Sequence, residues 1–165
     1  MIEQLGRLVL SPQAQRVIGE DLMARAQMEA CGVLLGELVT GEQGDEWRVD
    51  DVVPLRNIAE SPVYFEFDPG DLLQIEMEQS GQIIGVYHSH PTGYARASRT
   101  DQQNMARVNE EQRIPWCWLI VCGPFNETFA EYMHAREGVL PEDRLIAYYH
   151  YPEQGLAALA ISLAS

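Results

Sequence analysis

Two nearly unbroken apolar runs, CGVLLGEL at 31–38 and PWCWLIVC at 115–122, do most to limit what this chain can fold into. A half-buried strand alternates apolar and polar residues, whereas a run without a polar face has to be covered on both sides. Both runs read as buried strands, and QIIGVYHSH at 82–90 reads as a strand. Shorter strands are expected at 6–10, 46–55 and 63–67, with TGEQGD at 40–45 as a turn and 56–62 as a loop. TFAEYMHA at 128–135 is expected to pair as a strand after the Gly123-Pro124 turn. Helices are expected where caps meet helical spacing. Ser11-Pro12 opens one over 12–27, with Val17, Ile18, Leu22 and Met23 on one face. Asp68-Pro69 opens a second, carrying Leu72, Leu73, Ile75 and Met77 up to Ser80-Gly81, and Ser98 opens a third over 98–108. Hairpin strands interrupted by helices indicate an α+β fold, or a three-layer α/β sheet with both faces covered. The length of 165 residues suits a single domain over 1–165.

Composition removes several classes of function. Twenty-five acids against eleven bases leave a net charge of −14. This argues against nucleic-acid or anionic-membrane partners, which require excess Lys and Arg. All eleven bases are Arg, so no lysyl Schiff base can form. Cys31, Cys117 and Cys122 follow neither a metal-ligand nor a disulfide spacing. MIEQLGRLVL lacks the basic and apolar regions of a signal peptide, and no apolar run approaches the ~20 residues that span a bilayer. A reducing cytoplasm is the expected setting. The apolar C-terminal stretch GLAALAISLAS reads as a core-packed element or a subunit contact.

The chemistry concentrates in His88-Ser89-His90-Pro91, followed six residues later by Ser98-Arg99-Thr100-Asp101. On a strand, residues i and i+2 share a face at about 7 Å, so His88 and His90 point together and Ser89 points away. Two imidazoles so placed can converge on one zinc ion. Pro91 ends the ladder there, which puts the pair at a sheet end. Asp101, in the first turn of the helix that Ser98 opens, can supply a third ligand, leaving a fourth position for water. Ser-x-x-acid is also a capping arrangement, and the two roles are compatible. Glu29, just before the 31–38 run, is the candidate proton acceptor, because a carboxylate beside so apolar a segment needs a partner. Cys31 reads as a buried strand cysteine. His134 and His150 read as surface or packing residues, and Phe65, Tyr87, Trp116 and Trp118 as core. Gly93 and Tyr94 shape the loop over the metal. Arg96 and Arg99 either steer a substrate carboxylate or are solvated loop charges.

Glu29 with His88-x-His90-Pro91-x6-Ser98-x2-Asp101 resembles the JAMM motif of the MPN+ (JAB/MPN domain) zinc metalloproteases. The segment MEACGVLLG at 28–36, Phe67-Asp68-Pro69 and Gly85-Val86-Tyr87 resemble the compact prokaryotic members. The resemblance implies a mixed, curved sheet flanked by helices, related in outline to cytidine deaminases. It implies one zinc ion per chain held by His88, His90 and Asp101. It also implies Glu29 as general base and then acid, and Ser98 as donor to the oxyanion of the tetrahedral intermediate. The short stretch 101–115 holds no His or Cys, unlike the insertions of the larger deubiquitinating members, which favours a minimal prokaryotic enzyme.

Such enzymes are implied to cut after the C-terminal Gly-Gly tail of a ubiquitin-like or sulfur-carrier protein. A peptidase acting on a carrier–cysteine adduct in cysteine biosynthesis is the more specific alternative, and a non-catalytic MPN scaffold the non-enzymatic one. A nearly side-chain-free tail is held best by backbone pairing, and residues 62–67, with Tyr64 and Phe65, offer an edge for it. A zinc deaminase is disfavoured: His-x-Glu and Pro-Cys-x-x-Cys are both absent.

Overall fold

The computed structural model describes residues 6–165. Residues 1–5, the start of the stretch read above as lacking a leader, lie outside the described residues. The elements in chain order are β1 (Gly6–Leu10), α1 (Pro12–Ala24), β2 (Cys31–Gly41), β3 (Gly44–Leu55), α2 (Pro69–Glu78), β4 (Ile83–His90), α3 (Arg99–Ala106), β5 (Cys117–Cys122), α4 (Glu127–Ala135), β6 (Leu145–Tyr151) and β7 (Gly155–Leu163). A π-helical turn, Arg107–Glu111, extends α3, and a 3-10 turn, Glu142–Arg144, precedes β6. The strands close on themselves in the order β1-β3-β2-β4-β5-β6-β7. The sheet is mixed: β1 runs parallel to β3 and β7, β4 runs parallel to β5, and the other neighbours are antiparallel.

Both faces of the central strands are covered, as the apolar runs require. On β5, Cys117, Leu119 and Val121 pack with α1 and α4 through Ile18, Leu22, Phe129 and Met133. The alternate residues Trp118, Ile120 and Cys122 pack beneath α3 with Met105 and Val108. A smaller cluster, Val33, Leu35, Leu55, Ile75 and Ile83, seats α2. β4 presents Val86 to the α3 side and Tyr87 to the α1 side, so His88 and His90 emerge on the α3 side.

Several expectations change. Residues 128–135 form α4, not a strand: Asn126 Oδ1 caps the helix by accepting from Phe129 N–H at 3.2 Å, and Phe129 and Met133 bury at helical spacing. The apolar alternation of so short a stretch fits both periods, and the cap together with the burial of Phe129 and Met133 selects the helix. Residues 63–67 are irregular. Asn57 and Ser61 side chains bond the backbone of Val63, Tyr64 and Glu66, and these local bonds compete with a ladder. β6, not expected from the sequence, pairs with β5, and the C-terminal stretch becomes β7, which closes the sheet against β1. The β2–β3 turn is shorter than expected, α1 ends at Ala24, and the α3 helix ends at Ala106. Phe65 and Trp116 are half-buried cavity-wall residues, not core.

Gly85 allows β4 and β5 to approach closely just below the histidines. A Cβ there would meet the Cys117 carbonyl oxygen at 2.5 Å and Sγ at 2.6 Å. Gly85→Ala is therefore expected to destabilise the protein by about 1–3 kcal/mol, the cost of overpacking. The change would be read as a lower urea midpoint at unchanged m-value; an unshifted midpoint would show that the strands part freely.

Candidate metal centre

Two strands and one helix deliver the side chains. The antiparallel register places Cys31 of β2 opposite His88 of β4. Two residues earlier, Glu29 comes opposite His90. Ser89 secures this approach from the other face of β4: its Oγ accepts from Ala30 N–H at 2.8 Å, and its own N–H donates to the Ala30 carbonyl at 2.9 Å. Parallel pairing brings His90 level with Cys122 at the carboxyl ends of β4 and β5. Asp101 arrives on the first turn of α3. Ser98 Oγ accepts from Asp101 N–H at 3.0 Å, and Asp101 Oδ2 accepts from Ser98 N–H at 2.9 Å, so a capping box holds the carboxylate in place. Gly93 (φ +87°) turns the intervening loop back, its N–H donating to the His90 carbonyl at 2.9 Å.

The donor atoms converge. His88 Nε2 lies 3.2 Å from His90 Nε2 and 3.2 Å from Asp101 Oδ1, and His90 Nε2 lies 3.1 Å from Asp101 Oδ2. Ligands about 2.0–2.1 Å from a tetrahedral ion stand about 3.3 Å apart; the two Nε2 atoms match one such edge, and Asp101 reaches the two histidines through different oxygens. The tautomer of His90 follows from its other nitrogen: Nδ1 faces the Tyr94 carbonyl at 2.8 Å and must donate to it. The neutral ring then turns the Nε2 lone pair toward the Asp101 carboxylate, an encounter that favours a cation or a proton between them. Phe65 stacks on His88, with centroids 4.6 Å apart. Glu29 completes the group, with a carboxylate oxygen within 4.8 Å of both histidines. That buried Glu/His/His group could bind a metal ion, and the donor set suits one. Glu29 is 4% exposed and its Oε1 has no hydrogen-bond partner among the described residues.

Burial and charge separate the two carboxylates. Burial pushes Glu29 up to about 8; His90 opposes the rise and Asp101 adds to it. Burial would raise Asp101 as well, but its bonds to His88, His90 and the Ser98 N–H hold it well below the usual carboxylate range. Burial lowers His88 despite Asp101. It also pulls on His90, where Asp101, the Tyr94 carbonyl and Glu29 together prevail and raise it.

The remaining candidates lie around this centre. Ser98 faces a cavity of about 210 Å³ shared with Glu29, Pro62, Val63, His90, Thr92 and Tyr94. His88 and Asp101 border a larger cavity, about 480 Å³, walled by Phe65, Met105, Trp116 and Trp118. Tyr64 is 41% exposed at the rim of the larger cavity. Arg96 is exposed, with its Nε donating to the Tyr94 hydroxyl at 2.9 Å, and Arg99 is exposed on the first turn of α3. Neither arginine reaches the converging donors. His134 is exposed, and His150 sits 3.3 Å from Glu110. Sequence reasoning missed the Ser89 clasp and the Tyr94 carbonyl. The first had a trace in the His-Ser-His alternation; a backbone carbonyl leaves none.

Residues 11–135 match the family described as prokaryotic homologs of the JAB domain. This chain belongs to the prokaryotic JAB family. A desampylase from Pyrococcus furiosus is 34% identical over 103 residues, covering 61% of this chain and 64% of that relative's length. The solution structure of a protein from Desulfitobacterium hafniense superposes with a TM-score of 0.62 at 22% identity, covering 94% of this JAB chain and 92% of that one. It shares the fold.

The raised Glu29 makes a stability prediction for the metal-free protein. Its folded value of about 8 lies above the ordinary 4.5. Between these values the folded state holds a proton that the unfolded state has released, so stability falls as pH rises through that window. Glu29→Gln removes the effect. The melting temperature of the variant is expected to gain on the wild type from pH 5 to pH 8.5; a constant difference would show that Glu29 is ionised throughout.

Proposed function

We propose that this chain is a zinc-dependent JAMM-type peptidase that hydrolyses the bond after the C-terminal Gly-Gly tail of a ubiquitin-like or sulfur-carrier protein. The observation that carries the reading is the difference between the two carboxylates. Asp101 touches both histidines at 3.1–3.2 Å, whereas Glu29 has an oxygen within 4.8 Å of them and a buried Oε1 with no hydrogen-bond partner among the described residues. This difference supports Asp101 as a ligand and Glu29 as the acceptor of a water's proton.

His88 Nε2, His90 Nε2 and the Asp101 carboxylate would hold the zinc, with the Tyr94 carbonyl orienting His90 and the capping box orienting Asp101. Zinc so held supplies Lewis-acid activation of water and of the scissile carbonyl. Glu29 takes the proton of the attacking water on its carboxylate and returns it to the departing nitrogen. Ser98 Oγ already accepts from the Asp101 N–H, so its hydroxyl hydrogen is free to donate to the oxyanion. Burial of His88, His90 and Glu29 keeps bulk water from competing for these contacts.

The substrate class rests on the rim of the centre and on the likeness to a desampylase. Residues 62–67 are irregular, and among the described residues nothing in the chain pairs with the Phe65 backbone N–H or C=O. An extended tail can bond there as an added strand does. Glycines suit a tail laid along the Phe65 backbone beside the metal ligands, where bulky side chains would meet the Phe65 ring stacked on His88. The acidic surface repels an acidic carrier at low salt, and added salt relieves that repulsion.

Two measurements test the reading. Glu29→Gln is expected to keep one zinc per chain by elemental analysis while turnover falls by about 10²–10⁴-fold. His88→Ala is expected to lose both metal and turnover, and full activity in Glu29→Gln would overturn the proton-transfer role. With the zinc-loaded protein and a carrier fusion, replacing the last two tail glycines by leucine is expected to abolish cleavage. Equal rates on both fusions would overturn the Gly-Gly specificity.

A further inference from the structure

Asn57 lies just beyond the end of β3 and is almost fully buried. Its carboxamide is committed to backbone. Nδ2 donates to the carbonyls of Glu29 at 3.1 Å and Tyr64 at 2.9 Å, and Oδ1 accepts from the N–H groups of Ala59 at 3.0 Å and Glu66 at 3.1 Å. Two backbone bonds run alongside, Glu29 N–H to the Ser61 carbonyl at 2.8 Å and Ile58 N–H to the Glu66 carbonyl at 3.0 Å. Glu29 precedes the first residue of β2, so the segment around Asn57, not a strand ladder, grips its backbone. The same amide fixes Tyr64 and Glu66, on either side of the Phe65 ring that stacks on His88.

We propose that Asn57 is a positioning residue that couples the tail-facing wall to the proton-transferring glutamate. The two hydrogens of one amide hold the carbonyls of Glu29 and Tyr64 at a set separation. The Glu29 carboxylate and the Tyr64–Glu66 wall therefore shift as one unit. A tail seated on that wall steadies the group that moves its proton. Neither a hydroxyl nor a carboxylate can replace this amide, because bridging two carbonyls takes two donor hydrogens and holding two N–H groups takes an acceptor on the same side chain. This inference rests on the peptidase reading above.

Hydrogen exchange on the zinc-loaded wild-type protein tests the coupling without reference to turnover. The amides of Glu29, Ala59 and Glu66 are expected to open as one unit, with protection within about threefold of one another. A Glu29 amide that instead follows the β2 strand while Ala59 and Glu66 open separately would overturn the proposal. Asn57→Asp keeps the shape and the acceptor but loses both donors. It is expected to retain one zinc, to exchange at least tenfold faster at Glu29 and Glu66, and to lose at least tenfold in kcat beyond any rise in KM. A higher KM with kcat intact would reduce Asn57 to a loop staple and overturn the coupling. Should Asn57→Asp fail to fold, the wild-type exchange pattern decides. Should the wild type cleave no Gly-Gly-tailed substrate, the peptidase reading fails, and the exchange measurements still settle whether Asn57 couples the two segments.

Discussion

The antiparallel pairing of β2 with β4 is the contact on which the chemistry of this molecule depends. It sets Cys31 against His88 and thereby brings Glu29 to the histidine pair. A slip of one residue would turn the imidazoles into the α1-side core and present Ser89 in their place, because side chains alternate faces. The Ser89 hydroxyl and N–H close on both backbone groups of Ala30 and hold the pairing one residue beyond β2. The close approach at Gly85 lets β5 support β4 from the other side.

On that frame two carboxylates of similar chemistry acquire opposite characters. Asp101 arrives from a helix N-terminus with its backbone already capped, and it meets two imidazoles and an N–H. Glu29 arrives from a turn before an apolar strand and meets little that stabilises its charge. Under the proposed function these opposite characters divide the work, Asp101 holding the cation and Glu29 exchanging the proton. Both depend on excluded water, supplied by the apolar clusters beneath α2 and α3 and by the Phe65 ring.

Much of this was legible before any coordinates. The runs at 31–38 and 115–122 required cover on both faces and received it. The His88–His90 alternation, the break at Pro91 and the Ser98–Asp101 cap each rest on local geometry, and each reappears in place. Two segments were misread for related reasons. The 128–135 stretch carries a pattern compatible with both periods, and burial of Phe129 and Met133 against α1 selects the helix. The 63–67 stretch has the aromatic content of a strand, yet its backbone is claimed by Asn57 and Ser61, side chains outside it.

The sequence by itself determined the residue types of the centre, their local facing and the family to which the chain belongs. The residue types and their facing follow from caps, alternation and spacing within a few residues, where covalent connectivity limits the options, and the family from the resemblance of the motif that runs from Glu29 to Asp101. Only the tertiary structure decided how near Glu29 comes to His90, that Phe65 lies on His88 rather than in the core, and that Asn57 ties the two together. Those relations join segments about 25 to 60 residues apart. Strand register and side-chain bonds to distant backbone set them, and neither leaves a periodic mark on the chain.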